Sequence, residues 1–505
     1  MQYTNPVLRG CYPDPSVCRV GDIYYMVCSS FQLFPGVPLF ESRDLVNWTQ
    51  IGHVLTRDSQ LPLSGANTVG GIYAPTIRFH NGRFYMVTTN VTHGGHFYVW
   101  TDDIYGEWSE PVWVDQEGID PSLFFEDGKA YFMSNGSDAA GRSAVLQCEI
   151  DIETGRRLTE TRPIWGGCGG RFLESPHLYH IGAYYYLMAA EGGTEYGHMV
   201  VYARGTSPYG PFTPFAQNPV LTNRDLGGYL LQGCGHGDLV DDPQGNWWML
   251  HLGFRQIHRW VMHHITGREV CLVPVTFDAD GWFTAGTDGT ARLETVTDRI
   301  PETVVQRRET CFTLRNTAPG REWVFLQNPH RENYTFSQER FLLRGTVTPL
   351  SSEQDSPTWI GMRLAETAFR FSAEMEIAPQ EAGLTVYMTA SQHYDLFVRT
   401  ATDGALHLVR RAQLGAIMQE ETVRLPENAG HVTLTVQGDP FTMRFYASVG
   451  GAHIDLGALE TKYLSTEVAC NFTGVMLGLY AYDAAPETGR KETAFSDLRL
   501  TYDAE

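Results

Sequence analysis

The 505-residue sequence has few charged side chains, fewer basic than acidic ones, and no long apolar run. Charged residues make up 19% of the chain, and 37 basic against 58 acidic residues leave a net charge of -21 at pH 7. This excess of negative charge repels phosphate backbones and anionic lipids, so we expect neither a nucleic-acid nor a membrane partner. No stretch is apolar for the roughly 18 residues that a membrane-spanning helix needs.

Paired cysteines, a targeting signal and helical periodicity are also missing. The nine cysteines are an odd number without a CxxC pair, which argues against a disulfide framework or a zinc site and predicts reduced, mostly buried thiols. The first residues have neither a basic n-region nor an apolar h-region, so we expect a cytoplasmic protein. No segment has the period of an amphipathic helix, which indicates an all-β protein.

One pattern occurs five times in the first half of the chain. Each copy is a short apolar strand, a turn built on Gly or Asn, and a second aromatic strand that ends in Met. The copies begin 46 to 62 residues apart, at Asp14, Ala74, Asp120, Ser175 and Gly237. This interval suits a four-stranded blade, so five copies predict a five-bladed β-propeller. A β-sandwich could give similar strands, but not this alternation of aromatic hairpins with Trp-bearing segments.

The second half of the chain predicts a β-sandwich, because strands that alternate apolar and polar residues follow one another with turns near every ten residues. A polar, unpatterned stretch separates the two halves. We therefore predict a propeller over 1–300, a linker over 301–318 and a sandwich over 319–505. The sandwich half contains only two tryptophans, Trp323 and Trp359, which favours an architectural role over an aromatic platform for polysaccharide.

Three carboxylates share one phase of the repeat. Asp14 and Asp120 open their copies, and Glu174 lies one residue before the fourth. An Asp before Pro can simply cap a turn, but three carboxylates at one phase should converge on one mouth of the propeller channel. His236 holds the matching place in the fifth copy, where a packed core histidine is favoured over a ligand or a substrate donor.

Two carboxyl groups that flank a glycosidic bond suffice for its hydrolysis, one as proton donor and one as base or nucleophile. A third carboxylate raises the pKa of the acid by its charge. The base, which we expect to be the more solvated of the pair, then stays ionised while the acid stays protonated near neutral pH.

Six segments, in this order and spacing, resemble glycoside hydrolase family 43: NPVLRGCYPDPSV, SSFQLFPGVPLFESRDLVNW, GGIYAPTIRFHNGRFYM, GIDPSLFFEDGKAYF, LESPHLYHIGAYYYLMAAEGGT and GCGHGDLV. The resemblance is to β-xylosidase and α-L-arabinofuranosidase members with a C-terminal β-sandwich, and it covers nearly the whole chain. It implies a five-bladed propeller followed by a sandwich of the concanavalin or lectin-like jelly-roll type. It also implies an inverting mechanism, with Asp14 as general base, Glu174 as general acid and Asp120 as the modulator of the acid's pKa.

Further positions carry over from the same resemblance. Phe31 and Tyr73 should form apolar walls of the terminal-sugar pocket, with Thr194 near it and His236 at its floor. Arg268 should bind a pentose hydroxyl and lower the acidity of neighbouring groups. Relatives usually have Trp where this chain has Tyr73, which leaves the choice between xylose and arabinose open. Some members hold a calcium ion through the histidine of the loop that contains His236, and the sequence allows a structural calcium here.

The sequence thus predicts an inverting exo-glycosidase that releases β-D-xylose, α-L-arabinofuranose or both from xylo- and arabinoxylo-oligosaccharides. No cofactor is required in this prediction, and related enzymes are often homo-oligomers, either dimers or tetramers. Two alternatives remain at this point. One is a propeller glycosidase with an open cleft, similar to an endo-arabinanase, and the other is a non-catalytic sugar-binding protein.

Overall fold

The computed structural model describes residues 1–307, 310–313, 319–337, 339–485 and 492–502. Within these ranges the chain forms 38 strands, two 3-10 helices and one four-residue α-helix, so the predicted all-β class is confirmed. No helix among the described residues has the length and apolar character needed to cross a membrane. All nine cysteines are free thiols, and six of them are buried.

Five four-stranded antiparallel sheets form the predicted propeller: β2-β3-β5-β6, β7 to β10, β11 to β14, β15 to β18 and β19 to β22. Each blade begins at the centre, because the first strands contact one another in a closed ring from β2 to β19. The strands of this half are β1 (Gln2–Thr4), β2 (Ser16–Val20), β3 (Ile23–Val27), β4 (Leu33–Phe34), β5 (Gly36–Ser42), β6 (Thr49–Leu55), β7 (Ile72–His80), β8 (Arg83–Asn90), β9 (Gly95–Thr101), β10 (Val112–Trp113), β11 (Ser122–Glu126), β12 (Lys129–Ser137), β13 (Ser143–Ile150), β14 (Arg162–Trp165), β15 (Glu174–Ile181), β16 (Tyr184–Glu191), β17 (Met199–Gly205), β18 (Thr213–Pro214), β19 (Leu231–Asp241), β20 (Trp247–Arg255), β21 (Glu269–Phe277), β22 (Phe283–Ala285) and β23 (Glu294–Val296).

The repeat is visible in the core between the blades. The methionine that ends each copy lies on the second strand of its blade and has no exposed surface, as is the case for Met26, Met86, Met133, Met188 and Met249. Met is unbranched and adapts to irregular gaps, so one residue type fills the same position in five similar but unequal blades. β1 pairs with β23 and joins the two ends of the propeller half.

The second half folds as two packed antiparallel sheets, one of eight strands and one of six, which confirms the predicted sandwich. Trp323 and Trp359 are both buried in it, with 6% and 0% of their surface exposed, so neither can serve as a surface platform. Its strands are β24 (Cys311–Thr313), β25 (Phe325–Leu326), β26 (Tyr334–Phe336), β27 (Phe341–Leu343), β28 (Thr358–Arg363), β29 (Phe369–Glu376), β30 (Glu381–Thr389), β31 (Gln392–Thr400), β32 (Leu406–Leu414), β33 (Ile417–Arg424), β34 (His431–Gly438), β35 (Thr442–Val449), β36 (Ala452–Glu460), β37 (Met476–Tyr482) and β38 (Thr493–Tyr502). The helices are the 3-10 turns Arg331–Asn333 and Thr461–Leu464 and α1 (Thr466–Ala469).

The sandwich lies against the propeller through backbone pairing as well as side chains. β25 pairs antiparallel with β4, a two-stranded sheet that joins the halves beside the loop from β3 to β5. That loop begins where β3 ends, beside the start of β2. It therefore lies on the face of the propeller where the inner strands start. The predicted boundaries at 300 and 318 stay predictions, and residues 308–309 and 314–318 of the predicted linker lie outside the described residues.

Candidate active site

The same unusual backbone conformation occurs at, or next to, the first residue of four of the five repeat copies. Asp14, Asp120, Ser175 and His236 have φ angles of 58°, 54°, 56° and 50°. Non-glycine residues adopt positive φ uncommonly, and such conformations persist at functional sites where surrounding structure enforces them. The repeat therefore delivers one sharp turn at the mouth of the channel in four blades, and Glu174 precedes the one at Ser175.

Asp14 lies at the centre of this mouth and is almost fully buried, with 6% of its surface exposed. Ser29 Oγ donates to its Oδ2 at 2.5 Å, and Arg268 Nη1 donates to its Oδ1 at 3.0 Å. His236 Nδ1 lies 3.4 Å from the same Oδ1. Burial alone would raise the pKa of Asp14. The charge of Arg268, followed by the influence of His236 and the hydrogen bond from Ser29, outweighs burial and lowers this pKa. The expectation of a more solvated base is wrong, because these groups keep a buried carboxylate ionised.

Glu174 has the opposite environment. It is only partly buried at the start of β15, yet burial and the negative charge of Asp14 raise its pKa to about 7, against the influence of Arg268. Asp120 is buried, and desolvation together with the charges of Glu174 and Asp14 raises its pKa well above the usual range. The Ser175 amide donates to Asp120 Oδ2 at 3.2 Å. The structure thus brings the three predicted carboxyl groups within mutual electrostatic reach.

Arg268 connects Asp14 to Thr194 and to the sandwich. Its Nη1 also donates to Thr194 Oγ1 at 2.7 Å, and its Nε donates to the carbonyl oxygen of Phe472 at 3.0 Å. Its positive charge lowers the pKa of each of the three carboxyl groups. The expectation that Arg268 lowers the acidity of its neighbours is therefore wrong, since a nearby cation favours the ionised carboxylate.

Three aromatic side chains stand together beside these polar groups. The ring centroids of Phe31 and Tyr73 are 5.9 Å apart. The ring centroid of Phe472 lies 5.6 Å from that of Phe31 and 5.9 Å from that of Tyr73. Arg268 lies beside this cluster, with its guanidinium carbon 5.2 Å from the Phe472 centroid. Phe472 belongs to the sandwich and was not predicted, because it lies outside the propeller repeat. Ser29 was also missed, since a single serine after a strand carries no signal of its own.

A second buried network lies beneath the carboxyl groups, around Asp238. Its carboxylate accepts from Ser16 Oγ at 2.6 Å, from Arg78 Nη1 at 2.8 Å and from the Tyr179 hydroxyl at 2.5 Å. Burial would raise the pKa of Asp238, but Arg78 in particular lowers it below the usual range. The carboxylate nearest to His236 in the sequence, that of Asp238, is therefore already paired with an arginine inside the propeller.

This arrangement bears on the predicted calcium ion. Calcium prefers six to eight oxygen ligands, whereas His236 offers nitrogen and faces Asp14, which Arg268 already holds. In the ranges that the structure describes, no group of three or more His, Cys, Asp or Glu side chains is placed to hold a metal ion. The side chains around His236 do not fit calcium, and the mechanism below uses none.

Two carboxyl groups whose pKa values move in opposite directions, at the mouth of a five-bladed propeller, are the pair that hydrolysis of a glycosidic bond needs, which indicates a glycoside hydrolase. The comparison with known families agrees: Glycosyl hydrolases family 43 matches residues 3–283, and the Beta xylosidase C-terminal Concanavalin A-like domain matches residues 312–499. The chain belongs to glycoside hydrolase family 43.

Relatives match over nearly the full length. The chain is 38% identical to a non-reducing end α-L-arabinofuranosidase of Bacteroides ovatus over 490 residues, which cover 95% of this chain and 91% of the relative. It is 34% identical to a xylosidase/arabinosidase of Butyrivibrio fibrisolvens, with 94% and 95% covered. Among solved structures, a Bacteroides ovatus family 43 protein superimposes with a TM-score of 0.92 at 36% identity, with both chains covered in full.

Proposed function

We propose that this glycoside hydrolase is an inverting exo-enzyme that releases terminal β-D-xylose or α-L-arabinofuranose from short oligosaccharides. The observation that carries the proposal is the pair of carboxyl groups with separated pKa values, lowered at Asp14 and raised to about 7 at Glu174. Near neutral pH this pair supplies an ionised base and a protonated acid in one pocket. The names of the relatives, an arabinofuranosidase and a xylosidase/arabinosidase, support the choice of a terminal pentose.

In this mechanism Glu174 donates its proton to the glycosidic oxygen as the bond to the anomeric carbon breaks. Asp14 takes a proton from a water molecule, whose oxygen attacks the anomeric carbon from the opposite face, so the configuration inverts. Ser29 and Arg268 hold Asp14 in the ionised form and fix its orientation. Asp120 accepts a hydrogen bond from the Ser175 amide, the residue that follows Glu174, and in this mechanism it helps to orient the acid.

The aromatic wall that the sandwich contributes favours exo-action over cleavage within a polysaccharide. The rings of Phe31, Tyr73 and Phe472 stand together beside Arg268, and Phe472 comes from the sandwich that covers this face of the propeller. An internal bond would need an open cleft on both sides of the carboxyl pair. A wall contributed by a second domain suits one terminal sugar, which counts against the endo-arabinanase alternative.

The test is hydrolysis of aryl β-D-xyloside and aryl α-L-arabinofuranoside by the native chain and by Asp14→Ala and Glu174→Ala. We expect cleavage of at least one substrate, and a loss of about a hundredfold or more in each variant, as is typical for a lost general acid or base. Proton NMR of the sugar at early times should show the inverted anomer first. The ratio of the two native rates identifies the preferred pentose.

A matched control is Asp22→Ala, which removes an exposed carboxylate in the β2–β3 turn at the opposite end of blade one. It should retain the native rate. Native-like rates in Asp14→Ala or Glu174→Ala would overturn the assignment of these residues. A chain that binds pentosides without cleaving them would favour the sugar-binding alternative, and release of internal arabinan fragments would favour the open-cleft one.

Three further expectations from the sequence each have a test of their own. The cytoplasmic location would make imported oligosaccharides the substrates, and cell fractionation tests it. A dimer or tetramer is tested by light scattering of the purified chain. The structural calcium is tested by metal analysis of protein purified with and without a chelator, and its presence would require ligands other than the side chains described around His236.

A further inference from the structure

A small cavity lies between the propeller and the sandwich, behind the wall of the sugar pocket. Its volume is about 20 Å³, and its lining includes Ser29 and Phe31 from the propeller and Arg363, Tyr387 and Thr473 from the sandwich. About 10–15 Å³ is enough to hold a particle of the size of one water molecule. The cavity is therefore large enough for one water molecule or one monatomic ion.

A buried guanidinium group lines this cavity. Arg363, at the end of β28, has only 6% of its surface exposed, and its Nε donates to the Cys11 carbonyl oxygen at 2.8 Å. Its Nη1 and Nη2 atoms are shielded from solvent and have no hydrogen-bond partner among the described residues. No carboxylate in the described part of the chain forms an ion pair with Arg363, although the Tyr12 ring lies 4.5 Å from its guanidinium carbon.

A second unsatisfied group lines the same cavity from another element. Thr473 has 6% of its surface exposed, and its Oγ1 has no hydrogen-bond partner among the described residues. Thr473 directly follows Phe472, whose ring forms part of the pocket wall and whose carbonyl oxygen accepts from Arg268. A buried cation and a buried hydroxyl thus line one small cavity, and each has a donor without a partner among the described residues.

We propose that this cavity is a chloride site, in which Arg363 and Thr473 bind the ion between the two domains. A buried charge without a partner is strongly unfavourable. A water molecule would accept the same hydrogen bonds but leave the charge of Arg363 unbalanced. A monatomic anion accepts from both side chains and balances the charge, whereas a carboxylate or phosphate is too large for the space. The ion stabilises the contact of the Phe472–Thr473 segment with the propeller.

The test is thermal unfolding of the full chain at constant ionic strength, with sodium chloride exchanged stepwise for sodium gluconate, whose bulky anion cannot enter. We expect the midpoint to rise with chloride and to saturate, since a ligand that binds only the native state stabilises it by mass action. Thr473→Val keeps the side-chain shape and should raise the half-saturating chloride concentration about tenfold, the effect of one lost hydrogen bond. Arg363→Met should abolish the dependence on chloride.

Thr435→Val is the matched control, because Thr435 is a buried threonine of the same sandwich that does not line the cavity. It should keep the native response to chloride. Crystals grown with sodium bromide should show an anomalous peak beside the Arg363 guanidinium. Three results would each overturn the chloride site: a midpoint that stays constant as chloride replaces gluconate, an unchanged chloride response in Thr473→Val, or electron density beside Arg363 that gives no anomalous signal in the bromide crystals. If Arg363→Met fails to fold, Thr473→Val and the bromide crystal still decide the question.

Discussion

At the scale of single residues, the site separates two chemically similar carboxyl groups by the charges placed around them. Asp14 is the more buried of the pair, so desolvation alone would give it the higher pKa. This order is reversed because Arg268, His236 and Ser29 lower the pKa of Asp14. The pKa of Glu174 is raised mainly by desolvation and by the charge of Asp14. The ionised Asp14 therefore helps to keep Glu174 protonated.

This difference predicts the pH profile of kcat/KM. As pH rises, activity should fall with an apparent pKa near 7, because Glu174 loses the proton that it must donate. As pH falls, activity should persist below the usual carboxyl range, because the pKa of Asp14 is lowered and activity is lost only when Asp14 is protonated. The measurement is the profile on an oligosaccharide and on a pentosyl fluoride, whose leaving group needs no proton. An alkaline limb that is equally strong on the fluoride would contradict the role of Glu174.

Ser29→Ala tests how the base is held. Ser29 Oγ donates to Asp14 Oδ2 at 2.5 Å, and this bond favours the ionised form. Without it the pKa of Asp14 rises, so the acidic limb of the profile should move to higher pH, by about one unit for a hydrogen bond to a charged group. Ser30→Ala is the control, because Ser30 Oγ accepts from the Val37 amide and touches none of the three carboxyl groups. An acidic limb that stays in place in Ser29→Ala would show that Arg268 and His236 suffice.

At the scale of elements, the repeat explains what could be predicted from sequence and what could not. The hairpin that ends in Met recurs in phase, so the blades and the convergence of Asp14, Asp120 and Glu174 follow from periodicity alone. The environments of those carboxyl groups do not, because Arg268 and Ser29 reach Asp14 from loops that carry no repeat. Phe472 is even harder to predict from sequence, because it reaches the pocket from a turn of another domain, about 200 residues after Arg268.

Phe472→Ala tests the wall that this turn contributes. The substitution removes a ring within 6 Å of Phe31 and Tyr73, but it keeps the carbonyl oxygen that accepts from Arg268. Loss of an apolar contact of about 1.5 kcal/mol should lower kcat/KM roughly tenfold, mainly through KM. Steady-state kinetics on the preferred aryl pentoside measure it. Phe441→Ala, at an exposed turn of the same sandwich, is the control and should keep native kinetics. Native kinetics in Phe472→Ala as well would place the Phe472 ring outside the substrate pocket.

At the scale of the whole molecule, the sandwich is a structural part of the proposed active site. It supplies the Phe472 ring and carbonyl oxygen to the pocket, and β25 extends the propeller through β4. Glu467 in α1 adds a third contact: it accepts from the His264 amide at 3.1 Å, while its Oε1 lies 2.8 Å from both His264 Nδ1 and the Tyr196 hydroxyl. These contacts lie in the loops that surround Arg268 and Thr194, so domain contact and pocket geometry are coupled.

The coupling predicts that the full chain unfolds in one calorimetric transition and that Glu467→Ala lowers its midpoint while raising KM. Removing the carboxylate leaves partly buried donors of His264 and Tyr196 unpaired, at a cost of about 1–3 kcal/mol, and frees the loop that ends at Arg268. Glu421→Ala, on the exposed edge strand β33, is the control and should change neither quantity. Two separate transitions, of which only the second moves in Glu467→Ala, would mean that the propeller keeps its pocket without the sandwich. A shifted midpoint with an unchanged KM would assign Glu467 to domain contact alone.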